Sequence, residues 1–142
     1  MRDDELRDML ESLDYPFKNT VVMAGYEITG TPKKGVVVTY QELINTRRDP
    51  MTTEDGGLEP GPTDVSYQID VYARDSVAVA GGVAPRDIVT YETLSVIAEQ
   101  MFRMYGFLND DMSPSLPIDT DCNVQGMRFS GVIDNHNCTY TR

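Results

Sequence analysis

A chain of 142 residues can bury about two thirds of its unfolded surface, which is enough for one domain around a single core. Its 23 acidic and 12 basic residues give a net charge of −11, and this excludes tight binding of nucleic acid because the chain repels the phosphate backbone. The chain has no run of eighteen apolar residues, and its acidic first residues do not match a secretory signal. We therefore expect one soluble domain, residues 1–142, that is made in the cytoplasm and does not bind a membrane.

The first half of the chain contains a helix, a strand and a long loop. Leucine and methionine residues at helical spacing predict an amphipathic N-terminal helix within residues 1–14. Residues 16–35 have no clear period, so we interpret them as an extended arm. The β-branched residues of 36–44 predict a buried strand. Residues 45–64 contain three prolines and three glycines without periodicity, which predicts a long flexible loop.

The second half begins with a strand and ends with a hairpin. Residues 65–73 alternate between apolar and polar, which predicts a strand with one buried face. A small, flexible link over residues 74–86 follows it. The closing residues 124–133 and 136–142 predict two strands that turn at 134–135.

A helix is predicted between these strands, from Pro85 to Tyr105, because proline suits a first turn and Gly106 suits the position after a last turn. We place its apolar stripe on Ile88, Tyr91, Leu94, Ala98, Met101, Phe102 and Tyr105. The order of all these elements predicts an α+β fold, in which an antiparallel or mixed β-sheet of about four strands packs against two helices and carries long loops.

Recognisable catalytic and metal-binding patterns are absent from the sequence. His136 is the only histidine, and no serine or cysteine lies in a nucleophile-elbow motif. Cys122 and Cys138 lack the clustering of a zinc site, and we expect two free thiols. Neighbouring carboxylates do not follow the order of a calcium loop. We therefore expect no enzyme activity and no cofactor, and a function that depends on binding other protein chains.

Several segments resemble the phage tail terminator family, whose members are also called tail completion or minor tail proteins. These segments are the strand Ser66-Tyr67-Gln68-Ile69-Asp70-Val71-Tyr72-Ala73, the helix of residues 88–107, and the closing strands 126–134 and 138–142. They follow the family's order and cover roughly half of the chain. The resemblance implies a structural virion protein that forms a hexameric ring on the last ring of the tail tube. Such a ring ends tail polymerisation and joins the tail to the head or neck proteins, while DNA passes through its channel without specific binding.

The resemblance also implies three groups of contact residues. An acidic channel wall lets DNA slide, because like charge removes the gain from counterion release; the candidates are Asp70, Asp110, Asp111, Asp119 and Asp121. The 49–62 segment carries apolar residues within a polar stretch and suits contacts with the tail tube protein or a neck protein; its candidates are Met51, Glu54, Asp55 and Leu58. Basic doublets suit contacts between subunits; these candidates are Lys33, Lys34, Arg47 and Arg48.

Two other interpretations remain open. The chain could be a head-completion or neck subunit, that is, a head–tail connector, which shares small size and ring assembly. It could instead be a non-viral α+β adaptor that binds a partner at an exposed strand edge. Ring symmetry separates the first alternative from a tail terminator, and a monomeric or dimeric state favours the second.

Overall fold

The computed structural model describes residues 3–13, 15, 20–25, 35–74, 77–79, 82–119, 122–133 and 139–140. Within these residues the chain forms two helices and eleven strands. In chain order they are α1 (Asp3–Ser12), β1 (Thr20–Ala24), β2 (Val36–Arg47), β3 (Met51–Thr52), β4 (Leu58–Glu59), β5 (Thr63–Arg74), β6 (Val77–Val79), β7 (Gly82–Ala84), α2 (Arg86–Tyr105), β8 (Leu108–Met112), β9 (Leu116–Asp119), β10 (Cys122–Ile133) and β11 (Thr139–Tyr140).

Seven of these strands form one mixed sheet. Its order is β1-β2-β5-β10-β11, and β8 and β9 also pair with β10. Strands β5 and β10 are antiparallel along their whole length, whereas β1 is parallel to β2. The α+β class predicted from the sequence is therefore confirmed, but the sheet has more strands than the four expected. The additional strands arise because β9, β8 and β11 follow one another along one side of β10, while β1 extends the opposite edge.

The hydrophobic core lies between this sheet and both helices. Leu6 and Leu10 of α1 and Leu94 and Ile97 of α2 belong to one buried cluster with the sheet residues. The alternation predicted for residues 65–73 is confirmed, because every apolar residue of that series is buried; these residues are Val65, Tyr67, Ile69, Val71 and Ala73. Burial of this strand's apolar face is the main contribution of β5 to the stability of the fold.

Helix α2 has the predicted ends, but only part of its predicted stripe is buried, since Leu94 and Met101 are buried and Ile88 is exposed. Gly106 follows it with a φ of 69°, and the Gly106 N–H donates to the carbonyl oxygen of Phe102 at 2.9 Å. Tyr91 and Phe102, which we assigned to the buried stripe, are more than half exposed, whereas Val89 and Thr93 are fully buried. The prediction was wrong at Tyr91 and Phe102 because α2 is apolar on two faces. Thr93 is buried at no cost in hydrogen bonding, since its hydroxyl donates to the Val89 carbonyl at 2.8 Å.

Residues 45–64 form an extended hairpin and not the predicted loop. Strand β2 continues to Arg47, which pairs with Thr63, and Met51 of β3 pairs with Glu59 of β4 in the same register. Between these two stretches, the Arg48 N–H donates to the Pro62 carbonyl at 2.7 Å. The prolines and glycines misled the prediction because the three prolines lie between the paired stretches, where they remove no hydrogen bond from either one. We call residues 48–62 the hairpin arm.

Three further predictions are corrected in the second half of the chain. The 108–121 segment, which was not predicted to contain a strand, forms β8 and β9. A two-residue turn at 134–135 would pair Tyr140 with Phe129. Tyr140 pairs with Val132 instead, so the predicted turn was wrong. Strand β8 pairs with β10 at Ser130 and Phe129, so β11 can pair only with the last residues of β10. The predicted flexible link over residues 74–86 contains the small β6–β7 hairpin.

Candidate interaction surfaces

The hairpin arm carries all four residues predicted to contact the tail tube or a neck protein. The pairing of β10 with β5 ends at Thr63. The hairpin arm continues beyond that residue for about 20 Å, because a strand rises about 3.3 Å per residue. Leu58 is 76% exposed, the largest value among the large hydrophobic residues, and Met51 is also exposed. These two side chains cannot form one patch, because they occupy successive rows of the β3–β4 ladder and leave the arm on opposite faces.

The tip of the arm is a hydrogen-bonded turn. The Thr53 N–H donates to the Gly57 carbonyl at 2.8 Å, and the Gly56 N–H donates to the Thr53 carbonyl at 3.0 Å. Gly56 has a φ of 85°, a conformation that residues with a Cβ rarely adopt. The Asp55 carboxylate accepts hydrogen bonds from the Thr53 hydroxyl and the Gly57 N–H, and these bonds lower its pKa. Asp55 is therefore a structural residue of the tip as well as a candidate contact, and Glu54 is exposed beside it.

An ion pair crosses the base of the arm. The Arg48 guanidinium donates through Nε and Nη2 to the two carboxylate oxygens of Asp64, both at 3.0 Å, and this contact raises the pKa of Arg48. Arg48 is thus engaged within its own chain, whereas Arg47 beside it is exposed. The other two basic candidates, Lys33 and Lys34, lie outside the described residues.

The outer half of β2, residues 41–47, leads from the sheet into the arm. All seven side chains are exposed, including Leu43 and Ile44. Strand β1 pairs only with residues 36–40, so β5 is the one partner of the outer half among the described strands. Leu43 forms a bulge, because Glu42 and Ile44 pair with consecutive residues of β5. No local pattern in the sequence indicated this surface.

The opposite edge of the sheet consists of β8 and β9 and includes three of the predicted channel residues. Asp110 and Asp111 lie in β8 and Asp119 lies in β9, whereas Asp121 lies outside the described residues. Both strands pair with β10 and with no other described strand. The edge is irregular, because Asp110 is bulged out between the residues that pair with Arg128 and Phe129. Apolar side chains are also exposed on it; they are Leu108, Leu116 and Ile118.

A partly buried polar network holds this acidic edge against the rest of the fold. The Gly126 N–H donates to Ser113 Oγ at 2.9 Å, and the Ser113 N–H donates to the Gly126 carbonyl at 2.9 Å. Thr90 of α2 donates to Gln125 Oε1 at 3.0 Å and lies 3.1 Å from Ser115 Oγ. The residues between β8 and β9 are therefore fastened to both β10 and α2. Serine and threonine scattered over 90–115 gave no sequence signal for this arrangement.

Asp70 lies in the middle of the sheet and not on the acidic edge. Its carboxylate accepts a hydrogen bond from Gln68 Nε2 at 2.9 Å, on the face opposite to the core. It pairs with Gly126, where an added Cβ would touch Asp70 Oδ1 and lie 2.6 Å from Gln68 Nε2. Burial raises the pKa of Asp70, and the hydrogen bond from Gln68 opposes part of that change. Among the described residues, the predicted channel carboxylates thus occupy two separate places, the acidic edge and the centre of β5.

The described part of the chain contains no group of three or more histidine, cysteine, aspartate or glutamate residues that could hold a metal ion. Within the same residues, neither helix is long and apolar enough to cross a membrane. Cys122 is buried, and Cys138 lies outside the described residues.

Comparison of the chain with known proteins gives no relative. The chain matches no protein-family model, no curated protein and no solved structure.

Proposed function

We propose that this chain is a structural virion protein of a tailed phage. In this proposal, copies of the chain form a hexameric ring that caps the tail tube, ends its polymerisation and joins the tail to the neck at the tail–neck junction. The proposal originates in the resemblance of the β5, α2 and β10 segments to the tail terminator family. The ring size also derives from that resemblance.

The observation that carries the proposal is the arrangement of exposed edges. One sheet presents the outer half of β2 at one edge and β8 with β9 at the other, and each has a paired strand on one side only among the described residues. Two different edges on one molecule suit a head-to-tail interface, which closes into a ring when the rotation between copies is correct. Exposed strand edges in a monomer are also prone to uncontrolled pairing, so a closed ring would protect them.

The hairpin arm supports the second part of the proposal. It carries Leu58 and Met51 on opposite faces beside a hydrogen-bonded turn, away from the core. An arm with apolar residues on both faces can insert between two neighbouring surfaces, such as those of a tail tube and a neck protein. The net charge of −11 suits a channel through which DNA moves without binding.

A head-completion or neck subunit remains the alternative within the virion, and an adaptor remains the alternative outside it. The exposed outer half of β2 favours the adaptor, because an extended peptide can add to such an edge as a further strand. The two classes differ in symmetry, since the adaptor would stay monomeric or dimeric.

Electron microscopy of the purified chain, alone and mixed with polymerising tail tube protein, tests the proposal. We expect six-fold rings and tubes that stop growing when the rings are added. A variant with Met51→Ser and Leu58→Ser should keep the rings and lose the capping, while Ile88→Ser on α2, which is exposed to the same extent as Met51, should retain both. Tubes that grow unchanged in the presence of intact rings would contradict a terminator and favour a neck subunit. Particles of one or two copies would favour the adaptor.

A further inference from the structure

The two exposed edges of the sheet have the correct strand directions to pair with each other in different copies. Strand β2 is antiparallel to β5, β5 to β10, and β10 to β8. Strand β8 therefore runs antiparallel to β2. If a second copy is placed beside the first in the same orientation, its β2 lies antiparallel to β8 of the first copy. Antiparallel pairing is the form found at every other contact of β5 and β10 in the main sheet.

The exposed apolar residues of the two edges lie at the same level of the sheet. Ile44 pairs with Ser66, Ser66 with Ser130, and Ser130 with Leu108. Residues in one row project from the same face, so Ile44 and Leu108 lie on one face at opposite edges. Ile44 is 44% exposed and Leu108 is 37% exposed. Pairing of two copies without stagger would place these two side chains opposite each other.

The two edges also share an irregularity. Leu43 is bulged out of β2 between the rows of Tyr67 and Ser66, and Asp110 is bulged out of β8 between the rows of Arg128 and Phe129. Because Tyr67 pairs with Phe129, the two bulges are one row apart. A bulge increases the local twist of a strand, and a straight partner strand fits it poorly. A regular extended strand therefore fits either edge less well than a strand that has a bulge at a neighbouring row.

Charge adds to this match. Strand β8 contains Asp110 and Asp111 and no basic residue, whereas the outer half of β2 ends with exposed Arg47. Residues 41–47 contain one further charge, Glu42, so this edge is neutral while β8 is negative. Two copies of β8 would bring four carboxylates together, whereas residues 41–44 of β2 add only Glu42 to Asp110 and Asp111, so the repulsion is smaller at a β8–β2 contact. The charges thus favour the head-to-tail contact over a symmetric one.

We propose that residues 41–44 of one copy add to β8 (Leu108–Met112) of the next copy as an antiparallel strand. The main sheet then continues from copy to copy around the ring. This inference rests on the proposed ring assembly and specifies the interface that makes it. It also assigns a role to Ile44 and Leu108, which the resemblance did not single out.

Disulfide trapping between different single-cysteine variants tests this interface. Ile44→Cys and Leu108→Cys are prepared separately, mixed and oxidised, since Cα atoms in adjacent strands are close enough for a disulfide. We expect a covalent dimer of twice 15.9 kDa in the mixture and none in either variant alone, because a head-to-tail contact never brings a residue to its own copy. Thr46→Cys replaces Ile44→Cys to detect a register displaced by two residues, since it projects from the same face.

The matched control is Asn45→Cys, which neighbours Ile44 but projects from the opposite face of β2. Its mixture with Leu108→Cys should give no dimer, and neither should the oxidised natural chain, whose described cysteine is buried. Equal trapping from Asn45→Cys would overturn the strand pairing. Rings or oligomers that form without trapping at residue 44 or 46 would overturn this interface and leave the proposed function intact. A chain that stays at the mass of one copy at every concentration would overturn the proposed ring and this inference together.

Discussion

Strand β2 has two halves that differ completely in burial although both pair with β5. Residues 36–40 are all buried, and residues 41–47 are all exposed. The inner half has β1 as a second neighbour and faces α1, whose Arg7 guanidinium lies 5.5 Å from the centre of the Tyr40 ring. The outer half lacks a second described strand. A single strand can therefore contribute to the core with one half and present an interaction edge with the other.

The two halves of β2 should differ most in how much the free energy of unfolding falls when an isoleucine at each half is replaced by alanine. Ile69→Ala removes a fully buried side chain opposite Tyr40 of the inner half, and we expect a loss of about 2 to 5 kcal/mol in the free energy of unfolding. At concentrations where the copies are dissociated, Ile44→Ala in the outer half should change it by no more than about 0.5 kcal/mol, because the side chain is exposed in a single copy. Urea unfolding of the two variants measures both values. Similar losses would show that the outer half is buried in solution.

The second effect concerns the polar network in which Thr90 of α2 donates a hydrogen bond to Gln125 of β10. Thr90→Val should cost about 1 to 3 kcal/mol, because Gln125 Oε1 then lacks its hydrogen-bond donor in a buried site. Thr46→Val in the exposed outer half is the matched control and should be nearly neutral. Thermal unfolding of the variants compares them. A neutral Thr90→Val would mean that the network does not hold the acidic edge in place.

A smaller effect should depend on pH. Asp70 pairs with Thr39, at the inner half, and its pKa in the folded protein is raised above the ordinary value by burial. The folded state therefore favours the neutral carboxyl, and this contribution is present at low pH and is lost as the pH rises through the folded pKa. Asp70→Asn should thus become more stable relative to the natural chain between pH 3 and pH 7. Melting temperatures at both pH values give the difference, and a constant difference would contradict the raised pKa.

The smallest effect belongs to the ion pair at the base of the arm. Arg48 and Asp64 are linked by two hydrogen bonds, but the arginine is exposed to solvent. A double-mutant cycle with Arg48→Ala and Asp64→Ala should give a coupling of about 0.2 to 1 kcal/mol, which decreases with added salt. A coupling well above this range would mean that the base of the arm is shielded from solvent, as within an assembly.

Local patterns in the sequence predicted the buried strands at the centre of the sheet and not the strands at its edges. The alternation of β5 identified its buried face because each second residue is apolar. The face of α2 was mispredicted because Tyr91 and Phe102 are as apolar as the buried residues, and only the position of the sheet decides between the two faces. Proline and glycine hid the continuous register from Arg47 to Met51, which depends on pairing with residues 59–63.

The candidate surfaces were predictable only in part, for the same physical reason. Met51 and Leu58 were identified because they are apolar residues in a polar segment. Ile44 and Leu108 gave no such signal, since an edge is defined by the absence of a further strand beside it. That property belongs to the sheet and not to the residues themselves. The bulges at Leu43 and Asp110 likewise depend on partners distant in the sequence.

The molar mass of the purified chain, measured by light scattering over a range of concentrations, tests the central claim of self-assembly most directly. We expect six times 15.9 kDa for the natural chain and a shift toward the mass of one copy for Ile44→Asp, which places a charge opposite the acidic edge. Ile88→Asp on the exposed face of α2 should keep the assembled mass. A natural chain that remains at 15.9 kDa at every concentration would contradict the account.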